Sequence, residues 1–231
     1  MIRSALFDID ETLYHLAPAH AAAMAATEAH AAGLLGVPAE TFRAAYRRAF
    51  DWQIGNHGDN AGFHSRAIRC QRALEELGLP LRFAMPVSEF YWAALLERIG
   101  AAGPADGAAE LLDALRACGV RVGVGSDMTA DWQFRKLERL GLLDRIDFAV
   151  TSEEAGVEKP APGFFALCLE KAGCAPGECA FVGDNLRKDA LGALAAGMRG
   201  FWLQPDPAKR AERPDVPSVA SLRDLVPLLL P

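Results

Sequence analysis

The chain has 231 residues, of which 51% are hydrophobic, and its formal net charge is −6; this length favours one core domain with a sizeable insertion. An acidic chain is a poor candidate for nucleic-acid binding, and no apolar run approaches the ~20 residues that a membrane span needs. The five cysteines form no CxxC pair, which argues against a zinc site and favours reduced thiols in a cytoplasmic protein.

The first predicted strand ends in two carboxylates. A short apolar run at 5–7 predicts a buried strand, and Asp8 and Asp10 follow it with one residue between them. Two like charges this close together are costly unless a cation holds them. The end of this strand is therefore the first candidate for a functional site.

Residues 15–100 are predicted to be helical. Helical patterns cover four segments, at about 18–35, 39–53, 63–77 and 86–98, separated by glycine-rich breaks such as 55–62. All five histidines fall in the first part of the chain, and none follows residue 105. A Ser-His-Asp site is thereby excluded unless the helical part supplies the base.

From about residue 106 the pattern changes to alternating strands and helices. Contiguous apolar runs at 121–125, 147–151, 179–182 and 200–203 predict strands of a parallel sheet that is covered on both faces. The helix predicted at 130–140 shows the apolar residues Trp132, Phe134, Leu137 and Leu140. The sequence thus predicts an α/β fold: a Rossmann-like, doubly wound core of residues 1–14 and 101–231, with a helical domain inserted at 15–100.

Polar side chains follow several of these strands, and the carboxyl ends of parallel strands are where ligands bind. They are Asp8, Asp10 and Thr12 after the first strand, Ser126 and Asp127 after the second, Glu158 and Lys159 beyond the third, and Asp184, Asn185 and Asp189 after the fourth. Taken singly, each could be a turn residue, a helix cap or a solvated lysine. Together they predict a site whose oxygen ligands favour Mg²⁺ over zinc.

The same segments resemble the motifs of the haloacid dehalogenase superfamily of phosphotransferases. The resemblance rests on DIDETL (8–13), VGVGSD (122–127), EKPAPGFF (158–165) and VGDNLRKDALGALAAGM (182–198). It covers the whole predicted α/β core. The position of the helical insert resembles the cap of the family's C1-capped branch, the phosphatase-like subfamily I.

The resemblance implies a Mg²⁺-dependent phosphatase. Asp8 would be the nucleophile that forms an aspartyl-phosphate, and Asp10 would protonate the leaving alkoxide and then deprotonate the attacking water. The carboxylates of Asp8 and Asp184 and the backbone carbonyl of Asp10 would hold Mg²⁺. Ser126 and Lys159 would bind the phosphoryl oxygens.

Supporting roles also follow from the resemblance, and two positions depart from the family's usual residues. Thr12 would anchor the loop that carries Asp10, and Asn185 and Asp189 would orient Lys159 or metal-bound waters. Many relatives have glycine where Glu11 stands. Many have asparagine where Asp127 stands; the backbone N–H of Asp127 could still face phosphate, but its charge would slightly disfavour the anion.

Asp10 separates the branches of the family. Dehalogenases lack an acid at this place because a halide leaves without a proton, and phosphonate-cleaving relatives lack it and use a cap lysine. Residues 15–98 contain no lysine, so a phosphatase is favoured. A phosphomutase remains the alternative because mutases keep both aspartates. A non-catalytic module that binds a phospho-ligand is disfavoured by the intact set of aspartates and lysine.

The substrate is expected to be a small phosphorylated metabolite, such as a sugar phosphate or a nucleotide, that the cap selects. Asn56, His57 and Arg66 lie near the glycine-rich break and are candidate contacts. Arg66 and Arg69 have an alternative interpretation as solvated helix charges. The protein is expected to be a monomer or a homodimer.

Overall fold

The structure, a computed structural model, describes residues 1–57 and 60–230. The chain divides into two compact units. One consists of Met1–His15 with Gly103–Pro231, and the other of Leu16–Ala102. The first unit contains the whole sheet and the second is helical.

A six-stranded sheet forms the centre of the first unit, and every strand pair in it is parallel. The strands are β1 (Ser4–Phe7), β2 (Arg121–Ser126), β3 (Phe148–Thr151), β4 (Cys179–Gly183), β5 (Arg199–Leu203) and β6 (Ser218–Val219). Their order is β3-β2-β1-β4-β5-β6. This confirms the predicted doubly wound α/β fold. The chain order reverses at β1, which lies between β2 and β4, so polar residues that follow these three strands meet at one edge.

The second unit is built from four long helices: α1 (Leu16–Leu35), α2 (Ala39–His57), α3 (Arg66–Glu76) and α4 (Ala84–Ala102). They enclose a core of their own, in which Phe42, Tyr46 and Val87 are buried. Ser65 fixes the beginning of α3, since its Oγ accepts a hydrogen bond from the backbone N–H of Ile68 at 3.3 Å. The predicted break before α3 is therefore a true helix boundary.

The remaining helices belong to the first unit. They are α5 (Ala108–Ala117), α6 (Ala130–Arg139), α7 (Ser152–Ala155), α8 (Pro162–Ala172), α9 (Gly192–Ala195), α10 (Pro207–Ala211) and α11 (Val226–Leu229). One side of the sheet buries Leu6 and Phe181 against Phe164 and Phe165 of α8. These aromatic residues dominate this part of the core because they bury the most apolar area.

Two elements of the first unit have unusual features. The segment after β4 begins as a π-helical turn, Leu186–Leu191, and continues as α9. β6 was not predicted, because two residues in a polar segment produce no apolar run. The π-helical turn matters for function, since it carries Asp189.

The described residues include no helix with the combined length and hydropathy that crossing a membrane requires. All five cysteines are free thiols. Burial raises the pKa of Cys168 to about 12, so this thiol remains protonated at neutral pH and is a poor nucleophile.

Candidate active site

Asp8 lies at the end of β1, where it is buried against Lys159. Its Oδ1 accepts a hydrogen bond from Nζ of Lys159 at 2.7 Å. The same Nζ donates to Oδ1 of Asp189 at 2.7 Å and to the backbone carbonyl of Gly125 at 3.1 Å. One buried ammonium group is thus shared by two carboxylates, and it joins the ends of β1, β2 and β4.

Asp8, Asp184 and Asp189 form an acidic cluster, in which one carboxylate oxygen of each lies within 4.8 Å of the others. Burial raises the pKa of Asp8 to about 8 and the pKa of Asp184 to about 6. Such shifts indicate that the charged carboxylates lack sufficient cationic partners. Because all the donors are oxygens, the cluster fits a hard divalent cation.

Asp189 is held rigidly in the π-helical turn. Its Oδ2 accepts the backbone N–H of Asn185 at 2.9 Å, and its Oδ1 accepts Lys159. A Cβ on Gly183, the last residue of β4, would lie 2.2 Å from Oδ2 of Asp189. Only glycine therefore allows this carboxylate to approach the strand and reach Lys159.

Asn185 has a different place from the one expected. Its Oδ1 accepts the backbone N–H groups of Arg187 at 3.1 Å and Lys188 at 3.0 Å. The side chain thus caps the π-helical turn instead of orienting Lys159 directly. It supports Asp189 by fixing the turn that carries it.

The carboxylate of Asp10 has its own set of partners and does not belong to the acidic cluster of Asp8. Nζ of Lys136 donates to both of its oxygens, at 2.8 and 2.9 Å, and the hydroxyl of Tyr14 donates to Oδ1. Nε2 of Gln133 lies 3.3 Å from Oδ2. Burial alone would raise the pKa of Asp10, but Lys136 and these hydrogen bonds lower it.

Lys136 and Gln133 were not among the residues predicted for the site, because only the apolar residues of the helix at 130–140 were singled out. In the structure Phe134 is 42% exposed, whereas Lys136 is 1% exposed and Gln133 is also buried. A buried charge is stable only with a partner, so the position of Asp10 determines which face of α6 is buried.

Ser126 and Thr12 connect the loops of the site. Oγ of Ser126, at the end of β2, accepts a hydrogen bond from Nε2 of Gln133 at 2.6 Å, and Gln133 also reaches Asp10. Oγ1 of Thr12 accepts the backbone N–H of Asp184 at 3.2 Å. Thr12 therefore ties the loop after β1 to the loop after β4.

Glu11 occupies a backbone conformation that favours glycine, with φ of 60°. This is the physical reason why glycine suits the position. Its side chain lines a cavity of about 370 Å³ together with Thr12, His15 and Asp184. Oε2 of Glu11 lies 3.9 Å from Nδ1 of His15.

The carboxylate of Asp127 is paired on both sides. Its Oδ1 accepts the backbone N–H of Lys159 at 2.8 Å, and its Oδ2 accepts Nζ of Lys188 at 2.7 Å. The expectation that the charge of Asp127 slightly disfavours the anion did not include this lysine. Lys188 is the second lysine that the sequence did not reveal.

Asn56 and His57 lie in the helical unit, at the end of α2. Nδ2 of Asn56 donates to the backbone carbonyl of Trp52 at 2.7 Å, and the ring of His57 meets the ring of Trp52 edge-on. Residues 58 and 59 of the glycine-rich break lie outside the described residues. The structure therefore leaves substrate contact by Asn56 and His57 as a prediction.

Arg66 and Arg69 are packed inside the helical unit and are not solvated helix charges. Arg66 donates to the hydroxyls of Tyr46 and Tyr91, at 2.9 Å in each case. Arg69 is buried, and its Nε donates to Oε1 of Gln53 at 2.6 Å. Both guanidinium groups therefore have fixed positions in this unit.

Comparison with known proteins identifies the family to which these features point. Residues 2–197 match the family model of haloacid dehalogenase-like hydrolases. The chain is 35% identical over 208 residues to ribulose-1,5-bisphosphate 5-phosphatase of Halopiger xanaduensis, covering 89% of this chain and 86% of that protein. It is 32% identical over 217 residues to glyceraldehyde 3-phosphate phosphatase of Methanothermobacter thermautotrophicus, covering 94% and 91%.

Among solved structures, the fold is similar to the crystal structure of 2-haloacid dehalogenase from Pseudomonas syringae pv. Tomato DC3000. The TM-score is 0.76 at 28% sequence identity, and the match covers 99% of this chain and 98% of that one. Relatives with two different chemistries therefore share the fold. The residues of the site, and not the fold, therefore distinguish a phosphatase from a dehalogenase.

Proposed function

This chain belongs to the haloacid dehalogenase-like hydrolases, and we propose that it is a phosphatase that hydrolyses a small phosphomonoester through an aspartyl-phosphate. The observation that carries the proposal is the second carboxylate, Asp10, which Lys136 and Tyr14 hold near Asp8. An alkoxide leaving group needs a proton, whereas a halide does not. The names of two relatives that match most of the chain support the same choice.

The proposed reaction proceeds in two steps. A carboxylate oxygen of Asp8 forms a bond to phosphorus while the ester P–O bond breaks, and the leaving oxygen takes a proton from Asp10. A water molecule then gives a proton to Asp10 and attacks phosphorus, which releases inorganic phosphate and restores Asp8. Ser126 and Lys159 would bind the phosphoryl oxygens during both steps.

We propose Mg²⁺ as the cofactor, held by the carboxylates of Asp8 and Asp184 and the backbone carbonyl of Asp10. When bound, it would neutralise phosphoryl charge so that an anionic carboxylate can attack. Both oxygens of Asp189 already accept hydrogen bonds, from Lys159 and Asn185. We therefore assign Asp189 to holding Lys159.

We propose that residues 1–14 and 101–231 act as the phosphotransferase core and that residues 15–100 act as a cap that selects the substrate. Asn56, His57 and Arg66 are its candidate contacts. The names of the two relatives favour phosphorylated sugars and related carbonyl compounds as first substrates to test. The free thiols support a cytoplasmic enzyme, and we expect a monomer or a homodimer.

The test is a turnover assay with Mg²⁺ over sugar phosphates, nucleotides and small organic phosphates, in which free phosphate is measured. We expect release of phosphate by the wild type and none above background by Asp8→Asn, whose fold is checked by circular dichroism. The Lys171→Met variant is the control, because Lys171 pairs with Glu154 on α7 and contacts none of the residues proposed for catalysis or metal binding.

Other outcomes would contradict the proposal. An isomerised phosphate ester without net release of phosphate would indicate a mutase. Chloride release from 2-chloropropionate, without phosphatase activity, would indicate a dehalogenase. Binding of phosphate esters without any turnover would indicate a binding module.

A further inference from the structure

Lys188 is a lysine that the proposed mechanism does not use. Its Nζ donates to Oδ2 of Asp127 at 2.7 Å and to Oε2 of Glu158 at 3.1 Å. The two carboxylate side chains are only 10% and 5% exposed, and that of Lys188 is 30% exposed. Such a pair differs from a surface salt bridge, because loss of one partner leaves a carboxylate charge with little access to water.

Asp127 connects Lys188 to the backbone of Lys159. One oxygen of Asp127 accepts the N–H of Lys159 at 2.8 Å, while the other accepts Lys188. At the end of the Lys159 side chain, the ammonium group donates a hydrogen bond to Oδ1 of Asp189 at 2.7 Å. Lys188 and Asp189, which are consecutive in the π-helical turn, thus both hold Lys159. Lys188 acts on its backbone through Asp127, and Asp189 binds its ammonium group.

The two carboxylates that Lys188 contacts are direct neighbours, along the chain, of the residues that would bind phosphate. Asp127 follows Ser126, and Glu158 precedes Lys159. Uncompensated carboxylates at both places would repel a phosphate dianion. Lys188 contacts both carboxylates, offsets part of their charge and joins the two loops, which makes an acid at position 127 compatible with an anion site.

We propose that Lys188 is a positioning residue for phosphate binding. It holds the loop of Ser126 against the backbone of Lys159 and offsets part of the negative charge of Asp127 and Glu158, and it thereby sets the affinity of the site for the phosphoryl group. The inference rests on the proposed phosphatase function, since that function assigns phosphate binding to Ser126 and Lys159.

The experiment compares Lys188→Met, Lys188→Arg, Asp127→Asn and the double variant Asp127→Asn/Lys188→Met, with Lys171→Met as the control of equal charge. The measurements are the Kd of inorganic phosphate by calorimetry and kcat and KM for p-nitrophenyl phosphate, both in excess Mg²⁺. Thermal unfolding of each variant is recorded alongside.

We expect Lys188→Met to weaken phosphate binding and raise KM about tenfold or more, with a smaller effect on kcat, because two carboxylates with little exposure lose the lysine that pairs with both. Lys171→Met should change either value by less than about twofold, since surface pairs act weakly at a distance. Lys188→Arg should restore binding. The double variant should lose less binding than the product of the two single losses, because the charges of Asp127 and Lys188 are removed together, while the loss that remains reflects Glu158.

Three results would overturn the inference. One is an equal loss in Lys188→Met and Lys171→Met. Another is a double variant whose loss equals the product of the two single losses. The third is a lower Tm for Lys188→Met with an unchanged Kd for phosphate, which would mean that the pair only stabilises the fold.

The two proposals fail separately. Phosphate binding is measured without turnover, so a wild type that binds phosphate but hydrolyses no monoester contradicts the phosphatase function, while the ratios of Kd still decide the role of Lys188. A wild type that neither binds phosphate nor hydrolyses a monoester overturns both.

Discussion

Asp8 and Asp10, which have one residue between them, each contact a buried lysine, but their pKa values shift in opposite directions. Lys159 is shared between Asp8 and Asp189, and burial raises the pKa of Asp8 to about 8. Lys136 serves Asp10, with Tyr14 as a further donor, and the pKa of Asp10 is lowered. A shared lysine leaves the first carboxylate in need of another cation, while a dedicated lysine satisfies the second.

This difference matches the two chemical roles. A nucleophilic carboxylate that lacks a full partner is ready to bind a metal ion and phosphorus. A carboxylate with fixed donors on both oxygens keeps one geometry, as proton transfer requires. Four predictions test the comparison, from the largest expected effect to the smallest.

Asp8→Asn should lower kcat by at least ~10³-fold, because the amide cannot form the acyl phosphate. The same change should leave the metal-free protein as stable as the wild type or more stable, since a buried carboxylate with a raised pKa is costly in its charged form. Steady-state turnover and thermal unfolding check the two parts. Retained turnover would remove Asp8 as the nucleophile.

Asp10→Asn should lower kcat for alkyl phosphates by ~10²–10⁴-fold, the usual contribution of general acid–base catalysis. p-Nitrophenolate leaves without a proton, so this variant should still release a first equivalent of it in a rapid burst before slow turnover. Stopped-flow absorbance measures the burst. Equal losses in the first step for both kinds of leaving group would contradict the acid role.

Lys136→Met should move the pH profile of kcat to higher pH. Lys136 lowers the pKa of Asp10, so its removal raises that pKa and lets Asp10 keep the proton it donates up to a higher pH. The profile of Lys171→Met should coincide with that of the wild type. An unchanged profile, or a shift toward lower pH, would show that Lys136 does not lower the pKa that controls kcat.

Mg²⁺ should raise Tm more at pH 8.5 than at pH 6. The pKa values of Asp8 and Asp184, about 8 and about 6 in the folded protein, lie above their unfolded value of 3.8. The metal-free protein therefore loses stability as pH rises from about 4 through 8, and Mg²⁺ restores it once protons no longer compete. At 100 times its Kd the ion contributes about 2.7 kcal/mol.

The matched control for the metal prediction is Asp184→Asn, which removes one negative charge from the acidic cluster. We expect it to reduce the shift in Tm with Mg²⁺ at pH 8.5. An unchanged shift would place the ion elsewhere. Differential scanning fluorimetry across a Mg²⁺ titration measures both proteins.

Some of the site was predictable because its residues follow strands. Asp8, Ser126 and Asp184 each end or follow a contiguous apolar run, and parallel strands align their carboxyl ends. Glu11 was not explained by the pattern of hydrophobic residues. Its φ of 60° explains it, and backbone conformation at one residue leaves no periodic signal.

The lysines on helices were not predictable in this way. Lys136 lies 126 positions from Asp10, and Lys188 lies 61 positions from Asp127. Helical periodicity shows which residues share a face, but a lysine on a helix is usually solvated. Burial of such a lysine becomes favourable only where another element places a carboxylate next to it.

The sequence by itself therefore determined five of the six strands, their ends and the set of carboxylates that these ends present, because hydrophobic runs and chain order are local properties. The tertiary structure decided which cation each carboxylate receives: Lys159 for both Asp8 and Asp189, Lys136 for Asp10, and Lys188 for Asp127. The physical reason is that the energy of a buried charge depends on distance in space and on exclusion of water, and neither is encoded in spacing along the chain.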